Sequence, residues 1–350
     1  MPLILGAQSA TAATGVVTNS CRFNPADDPT LTLTLGTPTN RDKWTFSAWI
    51  KKSDGAAASD NGIMQMGPST DFTHVVLAPE VEVTNKISSS FVGRLKTNAV
   101  YRDITAWYHM VVVWDSDNGT PGDRIRLYVN GAEITSFGTD TNPTSGELSG
   151  LASGNDLTVG SAGTYELDGY MAEVVLCDGQ AYTPSDFGEF DEDSPTIWKP
   201  KKISGLTFGA QGFYLDFEDS ANLGADVSGN GNDFTEANSG TILRTKDNAI
   251  NNFCTMNPLD NYLQSMTYSQ GNNTIVTDYA SPATATVGVA TGKWYWECKA
   301  VASSGGDFYT GVRSTQVTDA NAENGYRAND WSYYGPTGNY LNNNTDTSYG

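Results

Sequence analysis

The chain has 350 residues, with 20 Lys and Arg against 40 Asp and Glu, so its formal net charge is −20. Such a surface repels phosphate and gains nothing from counterion release, which argues against a nucleic-acid partner. Charged residues make up only 17% of the chain, below the roughly 25% of an average globular domain. Glycine, aromatic, amide and hydroxyl residues take their place, a mixture suited to an all-β protein with a polar, mostly uncharged surface.

The length points to about two domains, each long enough to bury a core. No apolar run approaches the roughly 18 residues that cross a bilayer, and the N-terminus lacks a basic stretch ahead of its short apolar one, so neither membrane insertion nor an export signal is expected. Cys21, Cys177, Cys254 and Cys298 are scattered without a Cys-x-x-Cys pair, which argues against zinc and redox motifs and reads as buried, reduced side chains.

Residues 1–17 are small, hydroxyl-rich and uncharged. They read as an arm that can run extended along a neighbouring protein. From Cys21 the pattern changes to short alternating runs separated by turn clusters. Trp44-Thr45-Phe46-Ser47-Ala48-Trp49-Ile50 alternates large apolar with mostly small side chains, and Trp107–Trp114, Arg124–Val129 and Tyr170–Leu176 are comparable. Runs of this length, rich in β-branched and aromatic residues, predict antiparallel strands of a sandwich. Asn130-Gly131 predicts a tight hairpin, and Pro184–Gly188 at most a single helical turn. Strand character persists to about residue 240. Residues 241–271 read as a connector because asparagines interrupt every periodic stretch. A second β pattern follows over 272–350, with strands expected at Thr274–Thr277, Lys293–Ala300 and Phe308–Val312. Three strands are too few for a sandwich of about seven, so this region is expected to be an incomplete folding unit continued in a longer natural chain.

Several motifs appear in a familiar order: Asn19-Ser20-Cys21-Arg22-Phe23-Asn24, Trp44–Lys51, Trp107-Tyr108-His109, Leu127-Tyr128-Val129-Asn130-Gly131, Leu167–Glu173, Phe213–Phe217 and Asp226–Phe234. Residues 18–240 thereby resemble the concanavalin A-like, laminin-G-type jelly-roll domains, in the version found in virion structural proteins of marine tailed phages. Gly292–Glu297 and Tyr309–Val312 resemble the opening half of a SPRY-type sandwich. The resemblance implies a non-enzymatic virion protein on the particle exterior, a tail-fibre or head-appendage part touching host-surface glycan or protein. It implies attachment to other virion proteins through residues 1–17, and a homo-oligomer. A capsid-decorating protein with a purely structural role and a soluble carbohydrate-binding lectin are the alternatives.

Four constellations invite chemistry. Glu189-Phe190-Asp191-Glu192-Asp193 lies near the Glu-x-Asp-x-x-Glu pattern of β-glucanases but lacks its final Glu and sits between Pro184 and Pro195, so it reads as a solvated acidic loop. His74 and His109 lie in apolar strands without a nucleophile elbow and read as packed histidines. Asp226, Asn230 and Asn232 place oxygen side chains between glycines, as a Ca²⁺ loop does, or else form a self-bonded turn. Finally, Tyr326, Trp331, Tyr333, Tyr334 and Tyr340 lie among amides with little apolar company. Exposed aromatics in that setting suit a sugar ring or a protein partner.

Overall fold

The alternating run around Trp44–Ile50 lies within a ten-residue strand, Lys43–Lys52, at the centre of the first of two large antiparallel sheets. The computed structural model describes residues 16–54, 61–237, 242–260, 266–277, 282–301, 308–314 and 324–349. The expectation for most of the N-terminal arm, residues 1–15, lies outside them. The chain divides into two compact units after Phe253.

In the first unit, one sheet runs in the order Ala132–Glu133, Ile125–Val129, Tyr108–Asp115, Lys43–Lys52, Gly169–Asp178, Ser20–Phe23 and Leu243–Thr245, with Phe213–Leu215 also paired to Gly169–Asp178. The other runs Phe137–Thr141, Ser90–Thr97, Val81–Ile87, Phe72–Leu77, Asn61–Met66, Asp156–Val159, Leu31–Thr34 and Thr235–Glu236. The fold is all-β, as the patterning predicts, and its few helical residues are short 3₁₀ turns, one of them at Pro184–Asp186. Asn130 and Gly131 both adopt positive φ between Val129 and Ala132, the hairpin their dipeptide predicts.

Period-two geometry decides what meets between the sheets. Trp44, Phe46, Ala48 and Ile50 point inward and join Met110, Val112, Trp114, Met171, Val174 and Leu176 against Met64, Met66, Val75, Leu77, Val83, Leu157 and Val159 of the other sheet. Trp44 and Trp114 are register partners with nearly parallel rings, 6.2 Å between centroids.

The outer face of the first sheet is covered as well. Val111, Val113, Val175 and Cys177 pack under Phe187, Tyr182 and Tyr214, while Trp49, Trp107, Tyr170 and Ala172 pack under Val17, Trp198, Ala249 and Ile250. Leu243–Thr245, within the stretch that reads as a connector, is the edge strand of this sheet, paired to Ser20–Arg22.

The second unit contains the hairpin Thr267–Ser269 with Thr274–Val276 and a four-stranded antiparallel sheet, Tyr309–Val312, Trp331–Tyr334, Asn339–Asn342 and Thr345–Thr347. The strand expected at Lys293–Ala300 is not formed: these residues pair with no strand among the described residues, and Trp294, Tyr295 and Trp296 are exposed. Alternation and aromatic content favour a strand there, but a strand persists only where neighbours accept its hydrogen bonds. Cys254 and Cys298 are likewise exposed rather than buried, in contrast to Cys21 and Cys177.

Candidate functional site

The aromatics near the C-terminus are sorted by the register of the four-stranded sheet. Cross-strand partners share a face, and successive residues alternate. Trp331 opposes Asn342, Tyr333 opposes Tyr340, Thr310 opposes Tyr333 and Val312 opposes Trp331. One face therefore carries Trp331, Tyr333, Tyr340, Asn342, Thr310 and Val312, all uncharged. Trp331 is 50% exposed and Tyr333 40%, and the Trp331 and Tyr340 rings lie 5.7 Å apart at a shallow 32°. Thus three of the five aromatics expected to contact a ligand lie together. Tyr334 points to the opposite face and stacks on Tyr309 at 4.8 Å, and Tyr326 lies in the connection between the Tyr309–Val312 and Trp331–Tyr334 strands. The broad, tilted platform offers ring faces and neutral hydrogen-bonding groups, which suits the C–H face and hydroxyls of a sugar.

Asp226, Asn230 and Asn232 also come together, as organisers of a turn. Asp226 Oδ1 accepts from the Tyr214 and Ser228 amides, and Oδ2 accepts from Ser228 Oγ and the Asn232 amide, all at 2.8–2.9 Å. The Asn230 and Asn232 side-chain amides donate to the carbonyls of Gly209, Ala210 and Gly212. A Ca²⁺ ion needs oxygens free to converge, whereas here both carboxylate oxygens already receive two donors each. These bonds are those of the self-bonded turn, one of the two readings that the spacing allows.

The acidic string forms an exposed hairpin. Gly188–Phe190 pairs with Trp198–Pro200, Lys199 Nζ lies 3.0 Å from Asp191 and 3.9 Å from Glu189, and Asp191 Oδ1 caps the turn through the amides of Asp193 and Ser194. These bonds and the lysine hold Asp191 below the usual carboxylate range.

His109 is fully buried, stacked 4.7 Å from Trp49. Its Nε2 lies 2.9 Å from Ser47 Oγ, a pairing that resembles a nucleophile and its base. The other ring nitrogen assigns the tautomer: Trp198 Nε1, which can only donate, bonds to His109 Nδ1 at 2.9 Å. Nδ1 is therefore the acceptor and Nε2 carries the hydrogen, which it donates to Ser47. A base must instead accept the serine proton. Burial holds the imidazole down to about 3, so it stays neutral. His74 is also buried, against Phe72, and is held at about 4 by desolvation.

Two buried polar clusters escape sequence reasoning. Glu173 sits with φ 50° at a bulge in the Gly169–Asp178 strand, accepts a hydrogen bond from the Tyr214 hydroxyl, and is pushed up to about 8 by burial. Only 4% exposed, it is closed off from any substrate that a general acid would have to reach. Lys51 Nζ bonds to Asp247 Oδ2 at 2.8 Å, Asn252 Oδ1 at 2.7 Å and the Phe253 carbonyl at 3.1 Å, and Asp247 Oδ1 accepts from Trp107 Nε1. Residues 247–253 are thereby strapped across the outer face of the first sheet.

Two antiparallel sheets packed face to face around this core agree with a family match. Residues 26–186 match the profile of the concanavalin A-like lectin/glucanases superfamily. Over those residues the fold is concanavalin A-like. Among solved structures, the heptameric SAP-like pentraxin of Limulus polyphemus is similar at 15% identity and a TM-score of 0.43, over 68% of this chain and 99% of that one. A Bacteroides ovatus protein described as carbohydrate-binding is similar at 15% identity and a TM-score of 0.44, over 66% of this chain and 60% of that one. The enzymatically active domain of tailspike protein 2 of bacteriophage CBA120 is similar at 12% identity and a TM-score of 0.34, over 53% and 32%. No curated relative matches the sequence. None of the described helices is long and apolar enough to cross a membrane.

Proposed function

We propose that the chain is a non-enzymatic structural component of a tailed-phage virion, set on the particle exterior, that contacts neutral host-surface glycans through the sheet face of Trp331, Tyr333 and Tyr340. The observation that carries the glycan contact is this face itself: tilted rings bordered by Asn342 and Thr310, with no charged side chain among the described residues that the register places on it. A charged partner would find no counter-charge among these described residues, while a sugar ring finds both stacking surface and neutral hydrogen-bonding groups. The order of the sandwich motifs, which resembles that of phage virion proteins, supports the particle, and the net charge of −20 supports the exterior, where it keeps many copies soluble and away from packaged DNA. The donor geometry at His109 and the closed position of Glu173 support the absence of hydrolysis.

A glycan array is the test. The full chain should bind neutral glycans and lose binding in Trp331→Ala with Tyr333→Ala; unchanged binding would remove the face from the site. Antibody labelling of the outer surface of phage particles tests location, and reducing-end release from β-glucan tests the enzyme question. If glycan binding is found but particles stay unlabelled, the protein acts as a soluble lectin instead.

A further inference from the structure

The anchor of the strap brings an amine, a carboxylate and a primary amide together. Lys51, on the Lys43–Lys52 strand, and Asp247, in the strap, are both buried. Lys51 Nζ is 2.8 Å from Asp247 Oδ2 and 2.7 Å from Asn252 Oδ1. Two aromatics of the apolar cluster on this face flank the group: Trp107 bonds to Asp247 through Nε1, and the Tyr170 ring centroid lies 5.7 Å from Nζ. The Asn252 amide is oriented by its partners. Its Nδ2 donates to the Thr105 carbonyl at 2.6 Å, which can only accept, and its Oδ1 accepts from an ammonium that can only donate. The amide carbon is one C=O bond of about 1.2 Å behind that oxygen, which puts it within about 4 Å of Nζ. Asp247 is fixed as well, because its Oδ1 accepts from Trp107 Nε1 at 3.1 Å and the Phe253 amide at 3.3 Å, leaving Oδ2 to the lysine.

We propose that Lys51 and Asn252 join in an intramolecular isopeptide bond, with Asp247 carrying the protons; the ion pair is the arrangement before reaction. An amine attacks a carbonyl only as the neutral base. Lys51 therefore first hands a proton to Asp247 Oδ2, which lies within the roughly 2.6–3.2 Å that proton transfer requires. The Nζ lone pair then bonds to Asn252 Cγ, and the C=O electron pair moves onto Oδ1. Asp247 delivers its proton to Nδ2 and accepts a second one from Nζ. The carbonyl re-forms as the Cγ–Nδ2 bond breaks, its electron pair leaving with nitrogen, and the departing ammonia takes the second proton. In balance, one lysine ammonium and one primary amide give one secondary amide and one ammonium ion. Asp247 returns to a carboxylate, and no oxidant or further reactant is needed. The exposed position of Asn252 gives the leaving group a way to water, while Lys51 and Asp247 are held in place beforehand, which removes much of the entropic barrier. The bond ties together residues 201 positions apart and locks the strap onto the first sheet. It forms whether or not the chain contacts glycan.

The experiment weighs the full chain by intact mass spectrometry under denaturing conditions, after purification and again after prolonged incubation at neutral pH. The wild type should fall short of its sequence mass by one ammonia, and tandem spectra of a tryptic digest should show a branched peptide linking Lys51 to Asn252. Lys51→Arg, Asn252→Ala and Asp247→Asn should each keep the full sequence mass and give only linear peptides. Asn252→Ala alters an exposed side chain and leaves the ion pair in place, so it reads the loss of the bond in a folded chain, and its circular dichroism should match that of the wild type. A wild type at full sequence mass after incubation overturns the proposal. So does an ammonia deficit that survives in Lys51→Arg, which marks a succinimide at an asparagine instead, and so does loss of water in place of ammonia, which makes Asp247 the acceptor. A branched peptide in Asp247→Asn would overturn the role given to Asp247.

Discussion

The two units spend similar residues very differently. The sandwich buries Trp44, Trp49, Trp107 and Trp114 between and outside its sheets, while the second unit leaves Trp294, Trp296 and Trp331 about half exposed and, among its described hydrophobics, buries only Met266 and Leu341. Both regions are rich in strand-forming residues, so strand propensity does not account for the contrast. Each sheet of the sandwich has a second layer to pack against, and a sheet is stable in water only when its apolar face finds one. Among the described residues of the second unit, the same aromatic composition stays at the surface.

That contrast can be broken by truncation. Trp114→Ala should destabilise the sandwich by about 3–5 kcal/mol, the usual cost of emptying a large aromatic site, read as a lower denaturant midpoint. Trp331→Ala should stay within about 0.5 kcal/mol, as exposed changes do. Equal costs at the two positions would mean that the second unit has a core after all.

Next in size is the buried pair under the strap. Asp247→Ala leaves Lys51 without its counter-charge in a site where the two side chains are 1% and 3% exposed, which should cost about 3–5 kcal/mol. Replacing both, Lys51→Met with Asp247→Leu, should recover much of that loss. A double variant as unstable as Asp247→Ala would show that the strap needs the ion pair itself.

A smaller effect is the pH profile of the sandwich. His109 and His74, held at about 3 and about 4, bind fewer protons folded than unfolded up to their ordinary 6.5, so their contribution to stability rises with pH through that window. Glu173, held at about 8, and Asp168, pushed to about 7 by burial and the neighbouring Asp54 charge, bind more protons folded than unfolded, so their contribution falls as pH climbs from the carboxylate range toward 8. Denaturant midpoints should therefore decline on both the acid and the alkaline side, and Glu173→Gln should flatten the alkaline decline. An unchanged alkaline limb in that variant would remove Glu173 from the account.

The smallest expected effect is at Asp226. With both carboxylate oxygens already accepting hydrogen bonds, the melting temperature should not move with millimolar Ca²⁺ or with chelator. A rise proportional to the logarithm of free Ca²⁺ would instead show a bound ion.

What was legible in the sequence follows the range of the interactions. Trp44–Ile50 declares its strand through alternation, and Asn130-Gly131 its hairpin through backbone preference, because both signals are complete within a few residues. Lys293–Ala300 carries the same signal and forms no strand, since pairing depends on residues elsewhere. At the candidate face, the aromatic and amide composition is visible, but the separation of Trp331, Tyr333 and Tyr340 from Tyr334 depends on register. Lys51 with Asp247, 196 residues apart, and the tautomer assigned to His109 by Trp198 are contacts that no local pattern announces.

The strap also sets an order of events during synthesis. At roughly 5–20 residues per second, the ribosome adds Asp247 about 10–40 s after Lys51, and Leu243–Thr245, the edge partner of Ser20–Arg22, emerges equally late. Until then the nascent sandwich presents an unpaired strand edge and a lysine without its counter-ion. That interval is when chaperones would find it, and slowing translation before residue 243 would lengthen the exposure without altering the finished protein.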